Sequence, residues 1–433
     1  MSTSHRRDFL RAAGAAAIAT AAHPILGAND RIRVGIIGLG GRGNNHMTSY
    51  AAIQTCEVAG LCDVNQAARE RGVALIQKLR GNRPKEYQDM RQMFEDKDID
   101  AVSMATPNHW HSLGTIWAVQ AGKDVYCEKP ASHNIYEGRK MTEAARKYKR
   151  MVQIGSQSRS KPHMIKAVQL LREGVIGKVY MAKGLCYKRR KSIGVTPAEP
   201  VPAGVNWDMF LGPAPMRPFT QNRFKYNWHW FWDTGNGDIG NQGIHEMDIA
   251  RWGLGVDLPT NAVSTGGKYV YVDDQETPNT QLATFDYGDK QIVFEVRGII
   301  TGGESSFQPR GNATVGVVYY GGDGYMVLSG GGFSVYKGED RQLTMEEKPA
   351  PGDTKEHIEN FLAAVRSRKH TDLSADVEIG AKSMELVHLA NISYRVKRAI
   401  QYDYASMTIK NDPEAAKLLT REYRAPYLIT DRV

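Results

Sequence analysis

Lys129 follows a short apolar run, Asp124-Val-Tyr-Cys127, and stands between Glu128 and Pro130. A lysine at the carboxyl end of a buried strand, next to a cationic ring, loses ammonium stability to desolvation and like charge. It can then exchange a proton with a hydroxyl near neutral pH. Pro130 fixes its own φ and disfavours helical backbone at Lys129, which aims the side chain. Most lysines are solvated surface charges, but a place between a buried strand and a proline argues against that here. A second stretch, Asp238-Ile-Gly-Asn241-Gln-Gly-Ile-His245-Glu-Met-Asp248-Ile-Ala-Arg-Trp252, reads as a loop entering a helix. His245, Asp248 or Ile249, and Trp252 recur there at helical spacing. His245 then projects from the first turns, where a histidine near a lysine base can hold or relay a hydroxyl proton.

Residues 32–43 form an apolar run closed by Gly38, Gly40 and Gly43, with Gly41 and Arg42 between them. A dinucleotide-binding turn asks for each of these glycines separately: one for the tight turn, one for close approach to a pyrophosphate, one for helix–strand packing. With 43 glycines in the chain, the spacing alone says little. Its context says more, because a strand-like run precedes it and a helical stretch follows. Asp63 ends the next apolar run. Its carboxylate accepts from a ribose 2′-hydroxyl and repels a 2′-phosphate, and Val64 and Asn65 bring no compensating charge, so NAD is expected over NADP. Thr106 and Pro107 suit a strand-to-helix turn near the nicotinamide, with Asn108 as a helix cap. Glu128, Lys129 and His111 are the remaining expected cofactor contacts. His109 and His111 are two apart and share no helix face, so no metal site is expected.

From Arg31 to about Gln157, strand-like runs alternate with helical stretches, the pattern of a doubly wound parallel sheet. The second half instead shows strand-like runs broken by turn residues, which predicts a large, mainly antiparallel sheet in an α+β domain. The expected division is residues 1–28 as a leader, 29–157 as the dinucleotide-binding domain and 158–433 as a substrate and assembly domain. The final helix, over Asp376–Ile400, suits packing against either domain. Residues 188–240 are loop-rich and heavy in Pro and Trp. Their run Trp228-His-Trp230-Phe-Trp232-Asp233 is ordinarily core, and in a loop ahead of His245 it could equally stack on a sugar ring. The net charge of +9 is spread along the chain, with one denser run at Lys188–Lys191. No nucleic-acid motif accompanies that run, and no nucleic-acid partner is expected. Cys56, Cys62, Cys127 and Cys186 have no metal-ligand or disulfide spacing. Ser4-His-Arg6-Arg7-Asp8-Phe9-Leu10 and the alanine-rich stretch after it look like a twin-arginine export signal, too short to span a bilayer. The expectation is a periplasmic protein without a membrane anchor. An exported protein leaves the NAD pool behind, so its cofactor should be held tightly.

The glycine turn, Glu128-Lys129-Pro130 and the histidine-bearing helix together resemble the glucose-fructose oxidoreductase and inositol dehydrogenase family, Gfo/Idh/MocA. The resemblance covers nearly the whole chain after the leader. It implies Lys129 as proton donor and acceptor, His245 as its partner, and a homo-oligomer, dimer or tetramer, built through the open face of the second sheet. It implies hydride transfer between NAD and a pyranose, glycoside or inositol-like polyol, with Arg159, Tyr187 and Trp230 joining Lys129, Asn241 and His245 around the substrate. Many relatives carry aspartate four residues before the histidine, where this chain has Asn241. An amide can orient a hydroxyl but cannot take its proton. A second function in the family is redox-neutral glycoside hydrolysis through transient oxidation at C3 and elimination. A third, non-catalytic sugar binding, predicts erosion of Lys129 or of the glycines, and both are present.

Overall fold

Alternating apolar runs and helical stretches in the first half produce a parallel sheet. The strands are β1 (Ile32–Ile37), β2 (Cys56–Cys62), β3 (Lys85–Tyr87), β4 (Ala101–Met104), β5 (Asp124–Cys127) and β6 (Val152–Ile154). Their order is β3-β2-β1-β4-β5-β6, all parallel. The order reverses between β1 and β4, the crevice where such sheets bind ligands. Helices α1 (Gly41–Ala51), α2 (Gln66–Arg80), α3 (Met90–Glu95), α4 (His111–Gln120) and α5 (Ile135–Lys147) connect the strands. Two of them start as their sequences dictate: the side chains of Asn65 and Asn134 accept from Ala67 N and Glu137 N. The structure is a computed structural model that describes residues 31–304, 307, 313–349, 352 and 354–433. The leader expected over residues 1–28 lies outside the described residues.

The second half builds a ten-stranded sheet from β7 (Val179–Lys188), β8 (Asn261–Gly267), β9 (Thr280–Asp286), β10 (Gln291–Arg297), β11 (Ala313–Gly321), β12 (Gly324–Ser329), β13 (Gly332–Lys337), β14 (Gln342–Glu347), β15 (Ile400–Asp403) and β16 (Thr408–Ile409). The order is β14-β13-β12-β11-β7-β10-β9-β8-β15-β16. Only β7 and β10 pair in parallel; the other pairs are antiparallel. Among the described residues, seven α-helices complete this half: α6 (Pro162–Arg172), α7 (Trp207–Leu211), α8 (Gly237–Asn241), α9 (Gly243–Leu254), α10 (Thr354–Ser367), α11 (Val377–Val396) and α12 (Pro413–Ala416). α9 packs on β7 and α11 on β8, covering one face of the sheet.

The two sheets share helices. Ile358, Phe361 and Leu362 of α10 return to the first sheet and pack with Val34, Ile36 and Tyr50. α11 lies between α5 and β8. Residues 32–433 accordingly form one compact unit, and a cut near residue 158 separates the sheets without separating their packing. All four cysteines are buried free thiols. Among the described residues no helix is long and apolar enough to cross a membrane.

Candidate active site

The glycine turn between β1 and α1 makes different demands at each position. Gly38 has φ +81°, and a Cβ there would lie 2.7 Å from the Ala105 carbonyl oxygen. A Cβ on Gly43 would lie 1.9 Å from the Gly38 carbonyl oxygen, so α1 packs directly on the turn. Around Gly40 and Gly41 there is open space out to 4 Å. No side chain caps the N-terminus of α1, which leaves its first N–H groups facing that space, the usual seat of a phosphate. At the end of β2, Asp63 accepts from Leu39 N at 2.7 Å and Asn65 N at 2.8 Å. Burial raises its carboxyl pKa and these two bonds oppose the rise. At the end of β4, Thr106 Oγ1 is buried with no hydrogen-bond partner. An open glycine turn, a carboxylate and an orphan hydroxyl together fit a dinucleotide.

Glu128 anchors the turn after β5. One of its oxygens accepts from Arg42 Nε at 2.8 Å and Gln157 Nε2 at 2.9 Å, and lies 3.0 Å from His46 Nε2. The other accepts from Lys129 N at 3.2 Å. Burial alone would raise this carboxyl, but the Arg42 guanidinium, His46 and Lys129 hold it well below the usual carboxylate range. Arg42 and Glu128 are thus bound to each other beneath the glycine turn. His111 bridges the two turns, with Nδ1 2.6 Å from the Pro130 oxygen and Nε2 2.9 Å from the Thr106 oxygen. Asn108 does not cap its helix. Its amide instead donates to Asn236, whose own amide donates to the His133 carbonyl at 3.1 Å.

Lys129 Nζ donates to the backbone carbonyl of Asn241 at 2.7 Å. Burial, and the positive charge of Arg42, lower its pKa against the pull of Glu128. The Asn241 side chain turns away, donating to the Tyr226 hydroxyl at 2.9 Å. Position 241 therefore meets Lys129 through its backbone, a contact that asparagine and aspartate make equally. His245, one turn further along, shares a cavity of about 390 Å³ with Lys129, Gln157, Gln242 and Glu246. Burial, with the Lys129 charge, lowers the His245 pKa to about 3, so its imidazole is neutral at pH 7. Glu246 and Gln242 escaped the sequence reading although they neighbour His245. Lys188 escaped it too, because its basic run read as surface; its amine donates to Gln242 Oε1 at 3.0 Å. Arg190 of the same run is also internal, paired with buried Asp238 at 2.7 and 3.0 Å.

Three expected substrate contacts lie elsewhere. Arg159 forms a buried bidentate pair with Asp248 at 2.7 and 2.9 Å and lies over the Trp252 ring, so its guanidinium is committed to packing α9. Tyr187 lies on the far face of the second sheet, its hydroxyl 2.7 Å from carboxylate oxygens of Glu295 and Glu304. The period of two explains this: its neighbour Cys186 faces Asp238 on the covered side. Trp230 is 3% exposed and stacks against the Arg190 guanidinium at 5.2 Å, which makes it core.

Residues 199–212 cross the carboxyl edge of the first sheet. Gly204 O accepts from Gln66 N at 2.9 Å and Val64 O from Asn206 N at 3.0 Å, both just beyond β2. The indole of Trp110, beyond β4, donates to Met209 O at 3.0 Å and Phe210 O at 3.1 Å. Trp207 and Phe210 stack at 4.9 Å and pack with Phe219 and Phe224 against Val64. The segment bridges the ends of β2 and β4 beside Asp63.

The Gfo/Idh/MocA model for an oxidoreductase NAD-binding Rossmann fold matches residues 32–156, and that family's C-terminal alpha/beta domain matches residues 170–291 and 325–429. The chain belongs to the Gfo/Idh/MocA oxidoreductase family. This family member is 29% identical over 232 residues to the rhizopine catabolism protein MocA of Rhizobium meliloti, covering 53% of this chain and 59% of that protein. It is 27% identical over 206 residues to a glycosyl hydrolase family 109 protein of Shewanella baltica, covering 41% of this chain and 45% of the relative. The chain thus matches about half the length of these curated relatives. Its fold is that of the WlbA dehydrogenase of Bordetella pertussis, solved with NADH and UDP-GlcNAcA, at a TM-score of 0.63 and 19% identity over 86% of this chain and 99% of that one.

Proposed function

We propose that this Gfo/Idh/MocA oxidoreductase oxidises a hydroxyl of a sugar, glycoside or inositol-like polyol, with NAD held as a resident cofactor and Lys129 as the proton acceptor. The observation that carries the proposal is Lys129 Nζ, its pKa lowered, in one cavity with neutral His245 above the glycine turn. The bound nicotinamide supplies a hydride acceptor. The neutral amine of Lys129 takes the hydroxyl proton, the Asn241 carbonyl positions that amine, and His245 hydrogen-bonds the same hydroxyl. Glu128, fixed by Arg42, His46 and Gln157, holds Lys129 in register. Asp63 favours NAD because a 2′-phosphate beside its carboxylate would be repelled. The 199–212 segment ties the β2 and β4 ends beside Asp63, the carboxylate that would hold the adenosine ribose, and this supports retention. In this reading the protein is exported through its Arg6-Arg7 signal and assembles through the outer face of the second sheet, where Tyr320, Tyr325 and Tyr336 stand partly exposed over buried Leu185, Val318 and Val327.

The test is incubation with a panel of aldoses, inositols and aryl glycosides while nicotinamide absorbance and aglycone release are recorded. Stoichiometric reduction without release supports the dehydrogenase. Release without net reduction supports the second reading, redox-neutral glycoside hydrolysis, which the similarity to glycosyl hydrolase family 109 proteins favours. Neither signal, with NAD bound, contradicts both.

A further inference from the structure

The cavity beside Lys129 holds a carboxyl group that no counter-charge neutralises. Glu246 is 6% exposed and lies in the first turns of α9, adjacent to His245. No ion pair joins it to a described residue. Its side chain is met by its own backbone N–H and by two long hydrogen bonds from Gln242 Nε2, at 3.3 and 3.4 Å. The nearby amines are spent elsewhere, Lys129 on the Asn241 carbonyl and Lys188 on Gln242 Oε1. With its oxygen taken by Lys188, the Gln242 amide can present only its N–H to Glu246. The ionisable groups around this carboxyl are Lys129 and Glu128 from the β5 turn, Arg42 from α1, Lys188 and the Cys186 thiol from β7, and His245 on its own helix. Lys161 lines the same cavity. A buried carboxylate without a partner is costly, and such a group keeps its proton instead. Burial pushes Glu246 up to about 8 against the pull of its own backbone N–H, Gln242 and the amines of Lys188 and Lys129.

We propose that Glu246 is the second substrate-facing proton carrier of this cavity, a neutral carboxylic acid that donates its O–H to an oxygen of the bound polyol beside the hydroxyl handled by Lys129. The proposal rests on the dehydrogenase reading above. It places in the cavity the carboxyl that position 241 does not provide. It also sets the substrate class. The acid suits neutral or anionic oxygen, whether hydroxyl, ring oxygen or carboxylate, and offers no charge to an ammonium group that Lys188 would repel.

Two measurements test it on the NAD-loaded protein. Infrared difference spectra of wild type minus Glu246→Gln should show a carboxylic-acid C=O band at pH 6.5 that is gone at pH 9.5. With the best alcohol of the panel, kcat/KM should fall above pH about 8 in wild type, and this limb should vanish in Glu246→Gln, whose amide still donates. Glu246→Ala should raise KM about tenfold, the worth of one lost hydrogen bond to substrate, and an amino sugar should bind no better than its hydroxyl counterpart. Superimposable wild-type and Glu246→Gln spectra at pH 6.5, or an alkaline limb that survives in Glu246→Gln, would overturn the proposal. The two readings fail separately: a band without any alcohol that reduces NAD defeats the dehydrogenase, whereas turnover without the band defeats Glu246.

Discussion

Glu128 receives four groups at once, so deleting its carboxylate leaves the fully buried His46 imidazole without that partner and loosens the half-buried Arg42 guanidinium. Glu128→Ala should lose about 3–5 kcal/mol in urea unfolding, as breaking buried ion pairs does. Because its folded pKa is depressed, its stabilisation is fully present above the unfolded value of about 4.3 and is lost as pH falls through the folded value. Glu246 has the opposite sign. Its folded pKa is raised, so its burial costs nothing below the unfolded value and stability drops as pH rises through about 8. Glu246→Gln should leave urea midpoints unchanged at pH 4 and raise them by a margin that grows from there to about pH 8. Lys129→Ala should lower the hydride-transfer rate by about 10²–10⁴-fold, the usual worth of a positioned base, with NAD occupancy unchanged by mass spectrometry. The wild-type rate should climb with pH as the Lys129 amine loses its proton below the usual lysine value and turn down above about pH 8 as Glu246 ionises, the falling limb alone disappearing in Glu246→Gln. Lys129 and His245 were legible because a strand end and a helix start announce themselves in sequence. Arg159 was not, because its partner Asp248 lies 89 residues away and nothing local marks a buried pair.

At the scale of elements, the turn from β1 to α1 was the most legible part of the chain, and the structure separates its glycines by what they serve. A Cβ at Gly43 collides with backbone, so Gly43→Ala should lower the melting temperature and abolish NAD binding together. A Cβ at Gly40 meets nothing in the protein, so Gly40→Ala should melt as wild type while its NAD affinity falls at least tenfold by fluorescence titration. Equal effects of both on melting would contradict this division. The strands that went unread have physical reasons for silence. β3 is three residues, Lys-Glu-Tyr, held by pairing to Gly60–Cys62. β14 is largely exposed and polar, while β15 and β16 are short edge pieces that exist only because β8 offers a partner. Tyr187, expected beside the substrate, stands on the opposite face of β7 against Glu295 and Glu304. The strand's period fixes which residues alternate, but only tertiary packing says which set faces α9.

For the whole molecule, the important feature is that remote segments return to the cofactor edge. α10 comes back to the first sheet, and residues 199–212 tie the end of β2 to the end of β4. No composition or period signals either return; the 188–240 stretch read only as loop with aromatics. If that segment retains the dinucleotide, the double variant Trp207→Ala/Phe210→Ala should release NAD at least tenfold faster in stopped-flow chase with apo-dehydrogenase, while Lys129→Ala releases it at the wild-type rate. The central claim, that a resident nicotinamide and Lys129 together oxidise a polyol hydroxyl, meets its most direct test in one single-turnover experiment. Protein as purified, or loaded with NAD, is mixed anaerobically with the sugar and inositol panel while absorbance of reduced nicotinamide is followed. The account predicts reduction approaching one equivalent per chain with at least one polyol, slowed at least a hundredfold in Lys129→Ala. Failure to bind NAD, or equal reduction rates in wild type and Lys129→Ala, would contradict it.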